Sequence, residues 1–178
     1  MNATRAGADG SEPVPQSRPT SAARTTLSRL MTVVDTNLLG TVHGGVVMKL
    51  VDDAAGTASA RHSAGNAVTA FMDEMAFLEP IGVGDLVHAH AQVNWTGRTS
   101  MEIGVRVVAE PWNRAGVKPA HVATAYLVFV AVDDAGRPRP VPAVIPETDE
   151  DHRRFAEAQI RREHRLARRA AILASRAG

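Results

Sequence analysis

Cysteine is absent from all 178 residues, which excludes disulfides, thiol nucleophiles and cysteine-based zinc sites. That absence fits a reducing, cytoplasmic compartment. A surplus of one charge is lacking as well. Twenty Lys and Arg against 19 Asp and Glu leave a net charge of +1, so neither nucleic acid nor an anionic membrane is expected as the main partner. No apolar run approaches the length of a membrane span, and membrane insertion is not expected. Residues 1–28 lack the apolar centre of a secretory signal. No spacing of His, Asp and Glu reads as a metal-ligand set, so no metal is expected.

What is there suits one soluble globular domain with tails, at 44% hydrophobic and 22% charged residues. Residues 1–28, rich in Ser, Thr, Ala, Gly, Pro and Arg, read as a disordered extension. Residues 29–146 form the domain, and residues 147–178 a charged helical tail. In that tail Thr148 can cap a helix whose first turn holds Asp149 to Asp151, where the helix dipole favours negative charge. Its arginines, interleaved with Glu157 and Glu163, describe a solvated or partner-packing helix rather than an RNA-binding one.

Inside the domain, Leu30 to Val34 reads as a short strand. Val47, Leu50, Val51, Ala54, Ala55 and Ala58 then recur at helical spacing, which predicts a helix from about His43 to Arg61. After it the period becomes two. Four strands follow, at about 67–78, 85–95, 99–109 and 121–132, with short connections that demand antiparallel pairing. Val87, Ala89, Ala91 and Val93 share one face, as do Met101, Ile103, Val105 and Val107. The single apolar helix is the expected cover for this sheet. The fold class is therefore α+β, a curled antiparallel sheet wrapped round one long helix, followed by a C-terminal helix.

Asp52 lies on the apolar helix among Met48, Val51, Ala54 and Ala55. A carboxylate there needs a partner, such as an arginine or lysine, or a chemical task as base or nucleophile. Asp53, about 100° round the helix, is expected to be solvated or salt-bridged. Gly44 and Gly45 expose backbone N–H groups at the helix start, which can hold a phosphate or an oxyanion, or merely pack. Gly45 and Asp52 share a face but stand about 10 Å apart along the axis. Two such groups reach one carbonyl only if a second subunit supplies one of them. His43 is expected to be a neutral, turn-fixing histidine. His88 and His90 read as surface residues. Asn37 is either a turn residue or an amide that orients water or a carbonyl. Met48, Met72, Met75 and Phe77 are either core or the lining of an acyl tunnel.

Three stretches, DTNLLGTVHGGVVMKLVDDAAGTASARH, GRTSMEIGVRV and VPAVIPETDEDHRRF, together resemble the hotdog-fold acyl-CoA thioesterases. The resemblance covers about residues 29 to 163 and is nearest the cytosolic, or brain, acyl-CoA hydrolase type and its single-domain bacterial relatives. It implies hydrolysis of acyl-CoA to fatty acid and CoA, with CoA as part of the substrate and no separate cofactor. By the same likeness Asp52 is the catalytic acid residue and Asn37 the asparagine of the partner half-site. The Gly45 N–H polarises the thioester carbonyl, and Gly97, Arg98, Thr99 and Ser100 contact the nucleotide end of CoA. Two-domain members carry paired hotdog units, so this single unit implies a homodimer, assembled further as a trimer of dimers. A non-catalytic acyl-CoA-binding module is the competing reading. A hydratase or dehydratase of the same fold would centre on a catalytic histidine motif that is not found.

Overall fold

The computed structural model describes residues 15–114 and 116–177. Its elements in chain order are β1 (Arg18–Pro19), a 3-10 turn (Thr20–Ala23), β2 (Thr25–Leu30), a second 3-10 turn (Val33–Asp35) and α1 (Gly44–Ser63). β3 (Ala67–Phe77), β4 (Asp85–Thr96), β5 (Ser100–Pro111), β6 (Ala120–Ala131), β7 (Val144–Ile145) and α2 (Asp149–Ala177) follow. Five strands form one antiparallel sheet in the order β2-β4-β5-β6-β3. β1 and β7 make a small parallel pair.

The sheet curls round α1, as the alternation in the sequence demands. Val87, Ala89, Ala91 and Val93 of β4 and Met101, Ile103, Val105 and Val107 of β5 are all buried. They meet the stripe Val47, Leu50, Val51, Ala54, Ala55 and Ala58, which is buried as well. Each large aliphatic side chain removed from water there contributes about 1.5–3 kcal/mol. The small residues on α1 allow close approach: a Cβ at Gly56 would sit 3.6 Å from the Phe129 ring. Ala64, in the left-handed region at φ 54, ends the helix.

The boundaries shift in two places. Residues 15–28, expected to belong to a disordered extension, instead supply β1, the first 3-10 turn and most of β2, whose register with β4 runs from Thr25↔Ala91 to Leu30↔Leu86. The remainder of that extension, residues 1–14, lies outside the described residues. The strand expected at Leu30 to Val34 ends at Leu30. Thr32 and Asp35 then close a capping box, with the Thr32 N–H donating to Asp35 Oδ2 at 2.9 Å, and this turns the chain into a 3-10 helix. That hydrogen bond is the chief cause holding the Asp35 carboxyl below the usual range, with Arg29 assisting.

The second difference is a second cover. α2 lies across the outer face of the sheet, opposite α1; Phe155 and Ala158 pack apolar surface against it, and the remaining contacts are largely polar. Asp151 accepts from Gln92 Nε2 at 3.0 Å and, through both carboxylate oxygens, from Arg24 Nη2 at 3.0 and 3.1 Å. Burial pushes its carboxyl up, but hydrogen bonds from Thr148, Gln92 and Arg24 outweigh this, leaving it below the ordinary value. Thr148 caps the helix as expected, accepting from the Asp151 N–H at 3.2 Å. Farther along, Arg161 donates to buried Glu102 at 2.6 Å and lies 3.6 Å over the Tyr126 ring. Arg165 then reaches Asp73 at 2.5 Å. The tail is thus partly the roof of its own domain.

Candidate active site

The acidic residue on α1 has found a hydroxyl rather than a cation. Asp52 is half-buried, and its Oδ1 accepts from Thr69 Oγ1 of β3 at 2.7 Å. Among the described residues it forms no ion pair, so of the two alternatives the arginine or lysine partner is not found, and a neutral donor stands there instead. Its neighbour Asp53 pairs with Lys49 at 2.9 Å, one turn earlier on the helix, as expected. Thr69 was not legible as a partner. It comes to Asp52 because β3 returns antiparallel along β6, with Thr69 in register with Phe129 and a bulge immediately after it.

At the start of α1 the histidine caps the helix. His43 Nδ1 accepts from the Gly45 N–H at 2.9 Å, which is the turn-fixing role expected of it. The same bond occupies the Gly45 N–H, so the imidazole has to turn aside before that N–H can meet another acceptor. A Cβ at Gly45 would come within 3.0 Å of His43 Nδ1, so a larger residue there would displace the capping ring. His43 is exposed, so the ring can swing away from the N–H without disturbing the core. Gly44 packs against Phe77, whose ring would lie 3.3 Å from a Cβ at that position. A cleft of about 350 Å³ opens beside them, lined by Val42, Gly44, Val47, Phe77 and Ile81. Of the four residues considered for an acyl tunnel, Phe77 lines this cleft; Met72 and Met75 pack against the core.

Asn37 organises its own loop. Its Oδ1 accepts from the Leu39 N–H at 2.8 Å and the Thr41 N–H at 3.3 Å, while Nδ2 donates to Thr41 Oγ1 at 2.9 Å. One amide hydrogen remains for another group. Around it Val33, Val34, Leu38 and Leu39 are highly exposed, an apolar patch on a loop.

Gly97 to Ser100 form the tight connection between β4 and β5, closed by the Gly97 N–H donating to Ser100 O at 2.8 Å. Gly97 has no side chain because the Trp95 ring would lie 2.9 Å from its Cβ. The Val141 N–H donates to Arg98 O at 3.0 Å, tying the turn to the segment that leads into β7. The Arg98 side chain is exposed and, among the described residues, forms no ion pair.

Register shows which of these parts one chain brings together. Thr69, Phe129 and Met101 stand side by side across β3, β6 and β5, so Asp52 and the 97–100 turn belong to the same end of the sheet. Phe77, Gly44, His43 and Asn37 occupy the opposite end, where the Val42 N–H donates to Ile81 O. Asp52 and Gly45 are therefore not united within one chain, as the helical spacing required. His88 and His90 hydrogen-bond to Ser28 and Thr26 of β2. Among the described residues no group of three or more His, Asp or Glu is placed to hold a metal.

Comparison with known proteins identifies the class. Residues 39–113 match the thioesterase superfamily. The chain is 37% identical over 145 residues to the cytosolic acyl coenzyme A thioester hydrolase of Mus musculus, a match that spans 82% of this chain but 38% of that protein's length. An apo-hexameric acyl-CoA thioesterase is 38% identical, with a TM-score of 0.83 covering 88% of this chain and 99% of the other. The acyl-CoA hydrolase of Staphylococcus aureus, solved with butyryl-CoA and CoA, is 34% identical with a TM-score of 0.82 over 89% and 95% of the two chains. That enzyme has also been solved with an asparagine, an aspartate or a threonine individually replaced by alanine. The chain belongs to the thioesterase superfamily and has its hotdog fold.

Proposed function

We propose that this protein hydrolyses acyl-CoA thioesters to a carboxylic acid and CoA, with each active site completed by a second copy of the chain. The observation that carries the reading is the Asp52 carboxylate: half-buried, oriented by Thr69 and, among the described residues, without a cationic partner. The staphylococcal hydrolase supports it. Its mutated asparagine and aspartate are fifteen residues apart and its aspartate and threonine seventeen. Asn37, Asp52 and Thr69 have the same separations.

In this mechanism Asp52 takes a proton from a water molecule whose oxygen attacks the thioester carbonyl carbon. Thr69 donates to the other carboxylate oxygen, Oδ1, and fixes the orientation of the group. The carbonyl π electrons move onto oxygen, where the Gly45 N–H of the second copy stabilises the oxyanion once His43 has turned aside. The Asn37 amide of that copy orients the water. Collapse re-forms the carbonyl, breaks the C–S bond and releases CoA thiolate, which recovers the proton from Asp52. Direct attack by Asp52, giving a mixed anhydride, is the competing path. Oxygen-18 water in a single turnover separates the two, because only the anhydride path leaves label in Asp52.

Geometry supports a two-chain site. β3 is an edge strand, and antiparallel pairing of two copies along it would set the Asn37–Gly45 end of one against the Asp52–Thr69 end of the other. The apolar Val33, Val34, Leu38 and Leu39 would then be covered. Hexameric relatives fit a trimer of such dimers. Arg98 in its exposed turn suits the phosphates of CoA, with Gly97, Thr99 and Ser100 shaping the approach. The cytosolic relative, and the lack of any described helix long and apolar enough to cross a membrane, support a cytoplasmic site of action. The deciding assay is thiol release from a panel of acyl-CoAs from acetyl to palmitoyl. No release from any member overturns the reading, while tight binding without turnover would establish a non-catalytic acyl-CoA module.

A further inference from the structure

Two bulges flank the middle of β5, one on each side. In β4 the pairing with β5 slips between Val93 and Trp95 and leaves Asn94 as the extra residue. In β6 the pairs Val107↔Ala123 and Val108↔His121 leave out Val122. Bulges of this kind re-aim side chains and gather next to functional sites. Between them lies Gly104, in register with Gln92 on one side and Tyr126 on the other. A Cβ at Gly104 would collide with the Asn94 amide, so the glycine makes room for that side chain. A cavity of about 230 Å³ opens here between the outer face of the sheet and the first two turns of α2. At roughly 30 Å³ per water molecule it has the bulk of a small organic acid rather than of a nucleotide.

The polar lining of this cavity is unevenly satisfied. Asn94 is 3% exposed, and its Nδ2 donates to Glu102 Oε1 at 3.4 Å. Its Oδ1 has no partner among the described residues, a costly state for a buried acceptor. His121 Nε2 lies 3.1 Å from Ala123 O and 2.8 Å from Thr124 Oγ1. A carbonyl oxygen only accepts, so Nε2 carries the proton and the neutral ring offers Nδ1 as a further acceptor. Donors line the cavity as well. Arg106 is exposed and, among the described residues, forms no ion pair. Arg154 gives its Nε to Glu150, which leaves both Nη groups for another acceptor. Arg153 is engaged by Glu150 and Glu157. Three arginines against two glutamates leave one positive charge around the cavity.

We propose that this cavity binds a small polyhydroxylated carboxylate with the chemistry of a sugar acid. Its carboxylate is held by Arg106 and Arg154, whose planar guanidinium groups match that shape. Its hydroxyl groups donate to Asn94 Oδ1 and His121 Nδ1. Water alone would satisfy those two acceptors but would leave the surplus positive charge unmatched. The single surplus charge fits a monoanion, whereas a phosphate monoester brings nearly two negative charges at neutral pH. The bound acid would join Arg154 of α2 to Arg106 of β5 and His121 of β6, and so fasten the helix to the outer face of the sheet.

Calorimetric titration of the full-length protein with D-gluconate tests this. Saturable binding is expected with a Kd below about 1 mM, together with a rise in melting temperature. Acetate, which lacks the hydroxyls, and sorbitol, which lacks the charge, should each bind at least ten-fold more weakly. Glucose 6-phosphate should bind no more tightly than gluconate. Arg106→Gln, on the exposed face, and Asn94→Ala should each weaken gluconate binding at least ten-fold. Should Asn94→Ala not fold, His121→Phe is measured instead with the same expectation. No binding of gluconate, or unchanged binding in the folded variants, would overturn the proposal. So would acetate binding as tightly as gluconate, which would leave the hydroxyl acceptors without a part. Tighter binding of glucose 6-phosphate would overturn the choice of a carboxylate.

Discussion

Thr69 holds Asp52 by a 2.7 Å hydrogen bond that joins β3 to the middle of α1. The bond leaves the second carboxylate oxygen for a water or substrate atom and fixes the carboxylate plane. Replacing Asp52 by Ala should therefore lower kcat for acyl-CoA hydrolysis by about 10²–10⁴, the range of a lost general base, with little change in melting temperature. Thr69→Ala should lower kcat by roughly ten-fold at nearly constant KM, a loss typical of one hydrogen bond to a charged group. Thr69→Ser should restore most of it. Steady-state kinetics on the three variants decide. Full activity in Asp52→Ala would remove Asp52 from the chemistry.

Asn37 carries two burdens that one substitution can separate. Its Oδ1 satisfies the N–H groups of Leu39 and Thr41, so Asn37→Ala should loosen the 37–41 loop and cost about 1 kcal/mol of stability. Asn37→Asp keeps that acceptor and should restore the melting temperature. It loses the amide donor, however, so hydrolysis should stay depressed. Recovery of both properties in Asn37→Asp would leave Asn37 with the loop alone.

Glu102 is 1% exposed, and its charge is met by Arg161. Cutting that guanidinium away in Arg161→Ala strands a carboxylate and should cost about 3–5 kcal/mol. Glu102→Leu combined with Arg161→Met should be near neutral, because no charge is then left behind. Urea unfolding of the single and double variants reads the difference directly. Equal losses in the two would mean that the contact matters through packing over Tyr126 instead.

Arg161 also shows why part of the fold was hidden in the sequence. Alternation placed Met101, Ile103, Val105 and Val107 inside, and they are there, because α1 offers them an apolar cover. The same alternation assigns Gln92 and Glu102 to the opposite, polar face, yet both are buried. Asp151 and Arg161 are the groups that meet them, and polar side chains paired across such a contact leave little hydrophobic period to detect. β2 was misplaced for a related reason: TTLSRL is an edge strand bonded only to β4, with mostly exposed side chains. In the candidate site, the separation of Gly45 from Asp52 was legible because helical rise is fixed. The hold of Thr69 on Asp52 depends on sheet register and a bulge, and that of His43 on Gly45 on a side-chain rotamer. Composition and spacing encode neither.

His62 sets the pH response of the body that carries the site. It is fully buried at the end of α1, and its Nε2 lies 3.0 Å from Pro142 O, while its Nδ1 has no partner among the described residues. Burial is the main cause that lowers its pKa, partly opposed by the Pro142 carbonyl and assisted by the Arg18 charge. The unfolded chain therefore takes up a proton near pH 6.5 before the folded one does. The stability this neutral histidine contributes is complete above about pH 6.5 and drains away as the pH falls through the lower, native pKa. Melting temperatures between pH 8 and pH 5 should fall for the natural chain. They should fall less for His62→Gln, which starts lower because the side chain is no longer matched to its pocket. Parallel pH profiles for the two proteins would show that other groups, such as Asp151 and Asp35, govern the acid response. Pro142 precedes β7 by two residues, and the neighbouring Val141 N–H holds Arg98 O. Protonation of His62 should therefore loosen the 97–100 turn before the sheet opens, which amide hydrogen exchange at Val141, compared at pH 7.5 and pH 5.5 after correction for intrinsic rates, will report.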